Sequence, residues 1–431
     1  MEFVNGTRWG EMNLENIILR RFINESSLLG GAGAMGSSCV YDLHKTSDFD
    51  EIVIADFDEA AARRVINLMD GDKRFSYVRV DASKIDEIAK VLKGADYVVD
   101  TLPHHYVHNF MDAVREVGIS GVSLNMINVD KLSYYSAPLE KAGKTFLIGN
   151  GECATTCEIA VLGCEEMDEV DDINIYWGMW RPITHGTPGL IDSIHTQYDP
   201  RVEERIYWEN GKIVRNMPPF ALPREFEFPE PIGKQETYML THWEPLTLPL
   251  VPVIKQKRTK RVVVRGIWHY SWTRFVRTLL ENGIYEAEPI EINGVEVSPY
   301  EVIIKHIKRQ SVEQWEDPYR LAEKLGFNPQ CILSVEITGY KNGMGKRIVY
   351  HIQQPYPFFD GKLITCSRDY GSYVGLPCSV SLQMLAHGEI PEKGAVTIEM
   401  TSGSPKRYFE EFEKRGAKFI KQETLEKGLT G

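Results

Sequence analysis

The chain has few cysteines, a deficit of cations and no long apolar run, and each shortage narrows what it can be. Its seven cysteines are an odd number without framework spacing, which fits a reducing compartment better than a disulfide scaffold. Cys153, Cys157 and Cys164 form the only cluster. It has no C-x-x-C pair and no histidine at a matching spacing, so no metal is expected. Cys153 and Cys157 lie one helical turn apart and read as small core hydrophobes. Lys and Arg number 49 against 61 Asp and Glu, a net charge of -12. A phosphate backbone needs a basic face to neutralise it, so no nucleic-acid partner is expected. The one dense basic run, Lys255–Arg265, leads into Val262-Val263-Val264 and reads as a solvated strand edge. No apolar run approaches the roughly 20 residues of a membrane span. The start, Met1-Glu2-Phe3-Val4-Asn5-Gly6, has no basic-then-apolar leader pattern. A cytoplasmic protein that does not touch a membrane is expected.

Glycine is where the chain is informative. Gly30-Gly31-Ala32-Gly33-Ala34-Met35-Gly36 holds a G-x-G-x-x-G set at Gly31, Gly33 and Gly36. The run Glu51-Ile52-Val53-Ile54-Ala55 then ends in Asp56. In this pattern Gly31 permits the tight turn, and Gly33 lets backbone approach a pyrophosphate. Gly36 lets the following helix lie against the strand. The N–H groups at Ala34 and Met35 and the positive end of the helix would hold the phosphates. Asp56, at the tip of the second strand, is placed to accept the ribose hydroxyls. It favours NAD over NADP, because it would repel a 2′-phosphate. Arg63 and Arg64 either soften that repulsion or are solvated, so NADP stays open.

From Leu28 to about Asn128, short apolar runs alternate with amphipathic stretches, as in β-α-β units. Tyr97-Val98-Val99-Asp100 is the fourth strand. Thr101, Leu102 and Pro103 follow it and would line the nicotinamide half of the site, since ligands sit at the carboxyl ends of parallel strands. Further strands are read at Gly121–Leu124 and Thr145–Ile148, the latter ending in Gly149-Asn150-Gly151. From about Asp172 the strands (Ile173–Trp177, Val262–Trp268, Cys331–Tyr340, Lys346–Gln353) are separated by irregular links such as Met217–Pro231. That predicts a second, mixed or antiparallel sheet, with a hairpin at Lys341-Asn342-Gly343. Helices are expected at Ser372–Leu385 and Pro405–Lys414. The fold class is α/β: a Rossmann-type parallel sheet followed by an α+β domain. The boundaries are an extension at 1–27, a dinucleotide-binding domain at 28–150, a substrate and dimerisation domain at 151–365 and a C-terminal segment at 366–431.

The glycine loop, Asp56, Val98–Pro103 and Gly149–Gly151 together resemble the saccharopine dehydrogenase family. Within it the chain is most similar to the lysine 6-dehydrogenase and saccharopine reductase branch. Leu190–Ser193, Tyr198-Asp199-Pro200, Trp208–Lys212, Ile292-Asn293-Gly294 and Tyr373–Gly394 add softer matches. The resemblance implies an NAD(P)-dependent oxidoreductase acting on a C–N bond of an amino acid or opine-like substrate. It also implies a homodimer or higher homo-oligomer, and a C-terminal helix that returns to the first domain. Two positions depart from the family. Its Pro-Gly pair after the Gly149 loop is replaced by Glu152–Thr156, and its acidic residue after the fifth strand by Ser123 or Asn125. Both places would contact substrate.

Oxidising an amine needs a hydride acceptor and a group to take the proton. Candidate acid–base residues are His104, His105, His185 and His242, because imidazole titrates near neutrality. One of the tandem histidines could instead cap the helix from Val107, and His242 could be structural. Candidate substrate contacts are Glu152, Asn125, Arg181 and Thr187. Arg181 could clamp a carboxylate bidentately, or simply sit at the surface beside a proline turn. Two other functions remain open. One is a polyamine enzyme of the carboxynorspermidine or homospermidine type, with acid supplied by Glu165–Asp172. The other is a dinucleotide sensor without catalysis.

Overall fold

The computed structural model describes residues 25–180, 197–199, 202, 205–267, 270–285, 288–310, 330–353, 358–359, 362–363 and 368–426. Arg181, His185 and Thr187 lie outside them. Strands β1 (Glu25–Leu29), β2 (Glu51–Asp56), β3 (Phe75–Arg79), β4 (Tyr97–Asp100), β5 (Ser120–Ser123) and β6 (Thr145–Leu147) alternate with helices. These helices are α1 (Ala34–Thr46), α2 (Glu59–Asn67), α3 (Ile85–Leu92), α4 (Val107–Val117), α5 (Leu132–Lys141) and α6 (Glu152–Glu165). The strands form one parallel sheet in which β1 pairs with both β2 and β4. Connections therefore run outward in opposite directions from the β1/β4 seam. The crevice at the carboxyl ends of those two strands is the switch point where such sheets bind ligands. Ile52, Ile54, Val99, Val122 and Leu147 pack on one face of this sheet and Ala55, Val98 and Phe146 on the other. Burial on both faces is why these strands read as unbroken apolar runs.

The second sheet carries β7 (Glu169–Trp180), β8 (Tyr207–Glu209), β9 (Lys212–Val214), β10 (Arg224–Glu227), β11 (Lys234–Met239), β12 (Arg261–Ile267), β15 (Gln330–Lys341) and β16 (Met344–Gln353). Small hairpins β13 (Ile290–Ile292)–β14 (Val295–Val297) and β17 (Phe358–Phe359)–β18 (Lys362–Leu363) stand apart from it. Only the β12–β7 pair among its neighbours is parallel. Positive φ at both Asn342 and Gly343 closes the β15–β16 hairpin in the turn class that Asn-Gly favours. The remaining helices are α7 (Glu244–Thr247), α8 (Pro252–Gln256), α9 (Tyr270–Glu281), α10 (Pro299–Gln310), α11 (Arg368–Ala386) and α12 (Pro405–Lys414).

Two readings of the sequence need correction. The basic run does not end on a solvated edge: β12 lies inside the sheet between β11 and β7. There Arg265 is buried and donates to Asn174 Oδ1 at 2.9 Å. Within the link read as irregular, Arg224–Glu227 forms β10 and pairs with β11.

The chain's last stretch divides between the two sheets. Helix α11 lies along α1, β19 (Gly394–Val396) extends the parallel sheet beside β6, and β20 (Lys418–Glu426) pairs with β16. After α12, Arg415 Nε donates to Asp42 Oδ1 of α1 at 2.8 Å, with both side chains buried. Asp42 also accepts from Ser379 Oγ of α11 at 2.6 Å. Removing one partner of a buried pair strands the other charge, so Arg415→Met should cost about 3–5 kcal/mol in urea unfolding. Arg63→Met, at an exposed pair with Glu59, should cost no more than about 1 kcal/mol. Equal losses would contradict this assignment.

Candidate active site

The turn from β1 into α1 needs glycine at two points. Gly30 has φ +75°, so the left-handed turn falls one residue before the Gly31 that the motif spacing indicated. At Gly36 an added Cβ would lie 2.4 Å from Gly30 O and 2.7 Å from Gly31 Cα. The helix is thus pressed onto the loop, as the spacing predicts. Gly33 is the N-cap without a side-chain cap, and the first turn of α1 carries no acid. The N–H groups of Ala34, Met35 and Gly36 have no acceptor within the helix. They leave a positive, anion-accepting end. Asp56 stands beside it, accepting from Ala32 N at 3.1 Å and from Asp58 N at 3.0 Å. Burial raises its pKa, against the pull of these N–H groups. Arg63 is occupied by Glu59 at 2.6 Å. This cradle fits a dinucleotide: a loop too tight for a side chain, a free helix end, and a carboxylate for the ribose.

Across the seam, Thr101 Oγ1 donates to Leu29 O at 3.0 Å, tying β4 to β1. Asp100 is fully buried and holds the strand tips together. It accepts from Leu102 N at 2.9 Å and Ser123 Oγ at 2.6 Å. Burial pushes its pKa up to about 6 despite those donors. Asn125 Nδ2 donates to Leu102 O at 2.9 Å and reaches Asp100 Oδ2 at 3.3 Å, so its amide nitrogen is spent inside the protein. Pro103, His104 and His105 are exposed at the mouth. Desolvation lowers the His104 pKa, and a hydrogen bond with Asn125 partly opposes it. Neither histidine caps α4, whose N-cap is Tyr106 with no side-chain bond.

Beyond the tip of β6 the second domain closes on the first. Asn150 Nδ2 donates to Pro377 O of α11 at 3.0 Å, and an added Cβ on Gly149 would lie 3.0 Å from Trp243 Nε1. Glu152 and Cys153 open α6, and His242 and Glu244 reach them from the segment after β11. His242 Nδ1 is 2.8 Å from Glu244 Oε2 and 3.1 Å from Cys153 Sγ, while its Nε2 is 3.8 Å from Glu152 Oε1. Its ring stacks on Trp243 and tilts against Trp177. Glu244 is fully buried, and its Oε1 has no partner.

The protonation of this cluster follows from its charges. Burial alone would lower the His242 pKa, but Glu244 and then Glu152 raise it above the ordinary value. Glu244 is lowered, because His242 outweighs its burial. Glu152 is raised by burial, against the pull of His242. Cys153 is raised well above a free thiol by burial and by both carboxylates. His242 and Glu244 thus each favour the charged form of the other, while burial favours the protonated form of Glu152 and of the Cys153 thiol. Cys153 and Glu244 share the same ring nitrogen, so the three do not form a relay that activates the thiol.

The sequence marked His242 and Glu152 separately, and nothing in it joined them. Cys153 was set aside for want of a nearby histidine, yet the fold supplies one from 89 residues away. Donor atoms of Glu152, Cys153 and His242 lie within 4.8 Å of one another, a spacing that could also suit a cation. The only local hint was the His-x-Glu spacing of His242 and Glu244. The acidic run Glu165–Asp172 lies at the other end of α6, about 20 Å from Glu152 at 1.5 Å per residue. There Glu166, Asp168 and Asp172 pair with Lys421, Lys341 and Arg261.

Residues 28–147 match the model of the saccharopine dehydrogenase NADP binding domain. Over this stretch the chain is similar to the NADP binding domain of the saccharopine dehydrogenase family. The fold of the whole chain is similar to apo saccharopine dehydrogenase (L-Glu forming) from Saccharomyces cerevisiae, with a TM-score of 0.65 at 14% identity. That match covers 93% of this chain and 100% of the yeast one. It is also similar to a homospermidine synthase from Legionella pneumophila solved with NAD. There the TM-score is 0.57 at 11% identity, over 94% of this chain and 92% of that one. At these identities the likeness is one of fold. The saccharopine dehydrogenase-type domain is an NAD(P)-binding α/β domain, as the glycine loop implied. No helix among the described residues is long and apolar enough to cross a membrane.

If Asp56 holds the adenosine ribose, Asp56→Ala removes charge-assisted hydrogen bonds of about 1.5–3 kcal/mol, roughly 10- to 100-fold in affinity. Calorimetric titration should show that loss for NADH and a much smaller change for NADPH. An unchanged NADH affinity would place the ribose elsewhere.

Proposed function

We propose that the protein is an NAD(P)-dependent oxidoreductase that acts on a C–N bond of an amino acid, opine-like or related amine substrate. The reading is carried by the buried Glu152–His242–Glu244 cluster beyond the tip of β6, on the ligand-binding side of the parallel sheet. A bound nicotinamide supplies or accepts the hydride. The chain must position the C–N group, exclude water and handle one proton. The imidazolium of His242 is placed to give a proton to the nitrogen of a C=N bond, which makes its carbon a better hydride acceptor. In amine oxidation the same ring takes the proton back. Glu244 holds the charged ring, and Trp177 and Trp243 fix its plane. Asp100 and Asn125 position the nicotinamide side of the crevice and do not touch the reacting atoms. His104, kept neutral at the mouth, serves proton exchange with solvent.

Glu152, Glu244 and the Trp243 face also favour a second reading, a cationic polyamine substrate. Carboxylates and an indole face both attract an ammonium group, and one protein of similar fold is a homospermidine synthase. A substrate panel with and without an α-carboxylate separates the two, together with Arg181→Ala. Loss of turnover only for carboxylate-bearing substrates supports the amino-acid reading. A protein that binds the cofactor but turns over no amine or imine would be a sensor.

His242→Gln should lower kcat about 10²- to 10⁴-fold and leave cofactor affinity unchanged. The pH profile gives the sign. The His242 pKa is raised, so its proton is held to higher pH than on a free imidazole and is lost as pH rises through the raised value. C=N reduction should fall on that alkaline limb while amine oxidation gains. Glu244→Gln removes the carboxylate charge bonded to the ring and should move the limb to lower pH. A limb unmoved by Glu244→Gln would exclude His242 as the group that titrates.

A further inference from the structure

Strand β20 ends the second sheet as a free edge. It pairs with β16 on one side, and the described residues place no strand on the other. All nine of its residues but Phe419 are exposed, including Ile420 and Leu425 at 45% and 52%. A long, straight edge with apolar side chains is a template for another strand, and charges are the usual guard against that. Here the charges are arranged symmetrically about one residue. The strand reads Lys418-Phe419-Ile420-Lys421-Gln422-Glu423-Thr424-Leu425-Glu426. About Gln422, lysine mirrors glutamate at both distances: Lys421 with Glu423, and Lys418 with Glu426.

We infer that β20 is the seam of a homodimer, pairing antiparallel with β20 of a second copy about a twofold axis at Gln422. A twofold perpendicular to the sheet keeps each face on its own side. It therefore sets residues against partners of the same parity, and the axis must pass through a residue position. Centred on Gln422, the pairing puts Lys418 opposite Glu426, Lys421 opposite Glu423 and Phe419 opposite Leu425. Centred one residue earlier, Lys421 faces Lys421. Centred one residue later, Glu423 faces Glu423. Opposite charges directly across an antiparallel pair stabilise and like charges destabilise, so these two neighbouring registers are rejected. The pairing satisfies the outward backbone groups of the edge, covers Leu425 with Phe419 and joins two second sheets into one.

Within each copy, Lys421 also reaches Glu166 at 2.6 Å and Glu423 at 3.1 Å, and Lys346 reaches Glu423 at 3.1 Å. These bonds hold both charges on one face of the strand, where the partner's opposite charges would arrive. The inference rests on the geometry of β20 and is independent of the proposed chemistry.

A charge exchange tests it. An acidic variant (Lys418→Glu with Lys421→Glu) and a basic variant (Glu423→Lys with Glu426→Lys) each place like charges at every mirrored position. Sedimentation velocity should show wild type as a dimer, each variant alone as a monomer, and an equimolar mixture as a dimer again. Variants that remain dimeric alone would put the interface elsewhere, and a monomeric wild type would overturn the inference. If the mixture stays monomeric because β20 has come away from β16, a cysteine scan decides. Gln422→Cys should give a disulfide-linked dimer under mild oxidation, because that residue faces itself, while Thr424→Cys should not. The six native cysteines among the described residues are buried, and the seventh, Cys366, is changed to serine in both variants so that it does not confuse the readout. Equal cross-linking of both variants, or none of either, would overturn the register.

Discussion

Helix α1 is clamped between two glycines, and the cofactor cradle depends on that clamp. On one side Gly36 brings the helix onto the glycine loop, where an added Cβ would meet Gly30 O at 2.4 Å. On the other, Gly375 brings α11 so close that a Cβ there would lie 2.4 Å from Met35 O and 2.9 Å from Cys39 N. A helix held this tightly from both faces cannot shift to accommodate a ligand. Its free N–H groups are therefore preorganised for a pyrophosphate. The clamp uses residues from both ends of the described chain, with Asp42, Ser379 and Arg415 locking it through buried charge.

The same closure explains the polar cluster. Helix α11 anchors the loop after β6 through Asn150, and that loop presents Glu152 and Cys153 at the start of α6. The segment after β11 lays His242 and Glu244 against them. Two carboxylates, an imidazole and a thiol buried together would be costly if each were charged. The pairing of His242 with Glu244 offsets two of these charges, and burial drives Glu152 and Cys153 toward their protonated forms. A buried imidazole held by a carboxylate suits proton transfer to a nitrogen.

What could be read from the sequence was local. The glycine loop, Asp56, the strands of the first sheet and the Asn-Gly hairpin are patterns of a few residues whose physics is set by neighbours in the chain. Their places in the structure follow closely, with the left-handed turn moved from Gly31 to Gly30. Arg265 was misread because a charge beside Val262-Val263-Val264 looks solvated until Asn174 arrives from another strand. Strand β19 is three residues long and pairs with a strand nearly 250 residues earlier, so no periodicity announces it. Strand β20 is mostly polar, and its pairing with β16 is what makes it a strand. The join of Cys153 to His242 is a property of the closed fold alone, and that is why the site's chemistry emerged only with the structure.

The proposed chemistry requires that the nicotinamide reach the His242 cluster. A crystal structure of the protein with NADH measures this directly. The pyrophosphate should lie on the first turn of α1, the adenosine ribose on Asp56, and the nicotinamide between Thr101–Pro103 and the Glu152–His242 face, with its reactive carbon turned toward His242. A nicotinamide bound with its reactive face away from the cluster, or lodged outside the β1/β4 crevice, would contradict it.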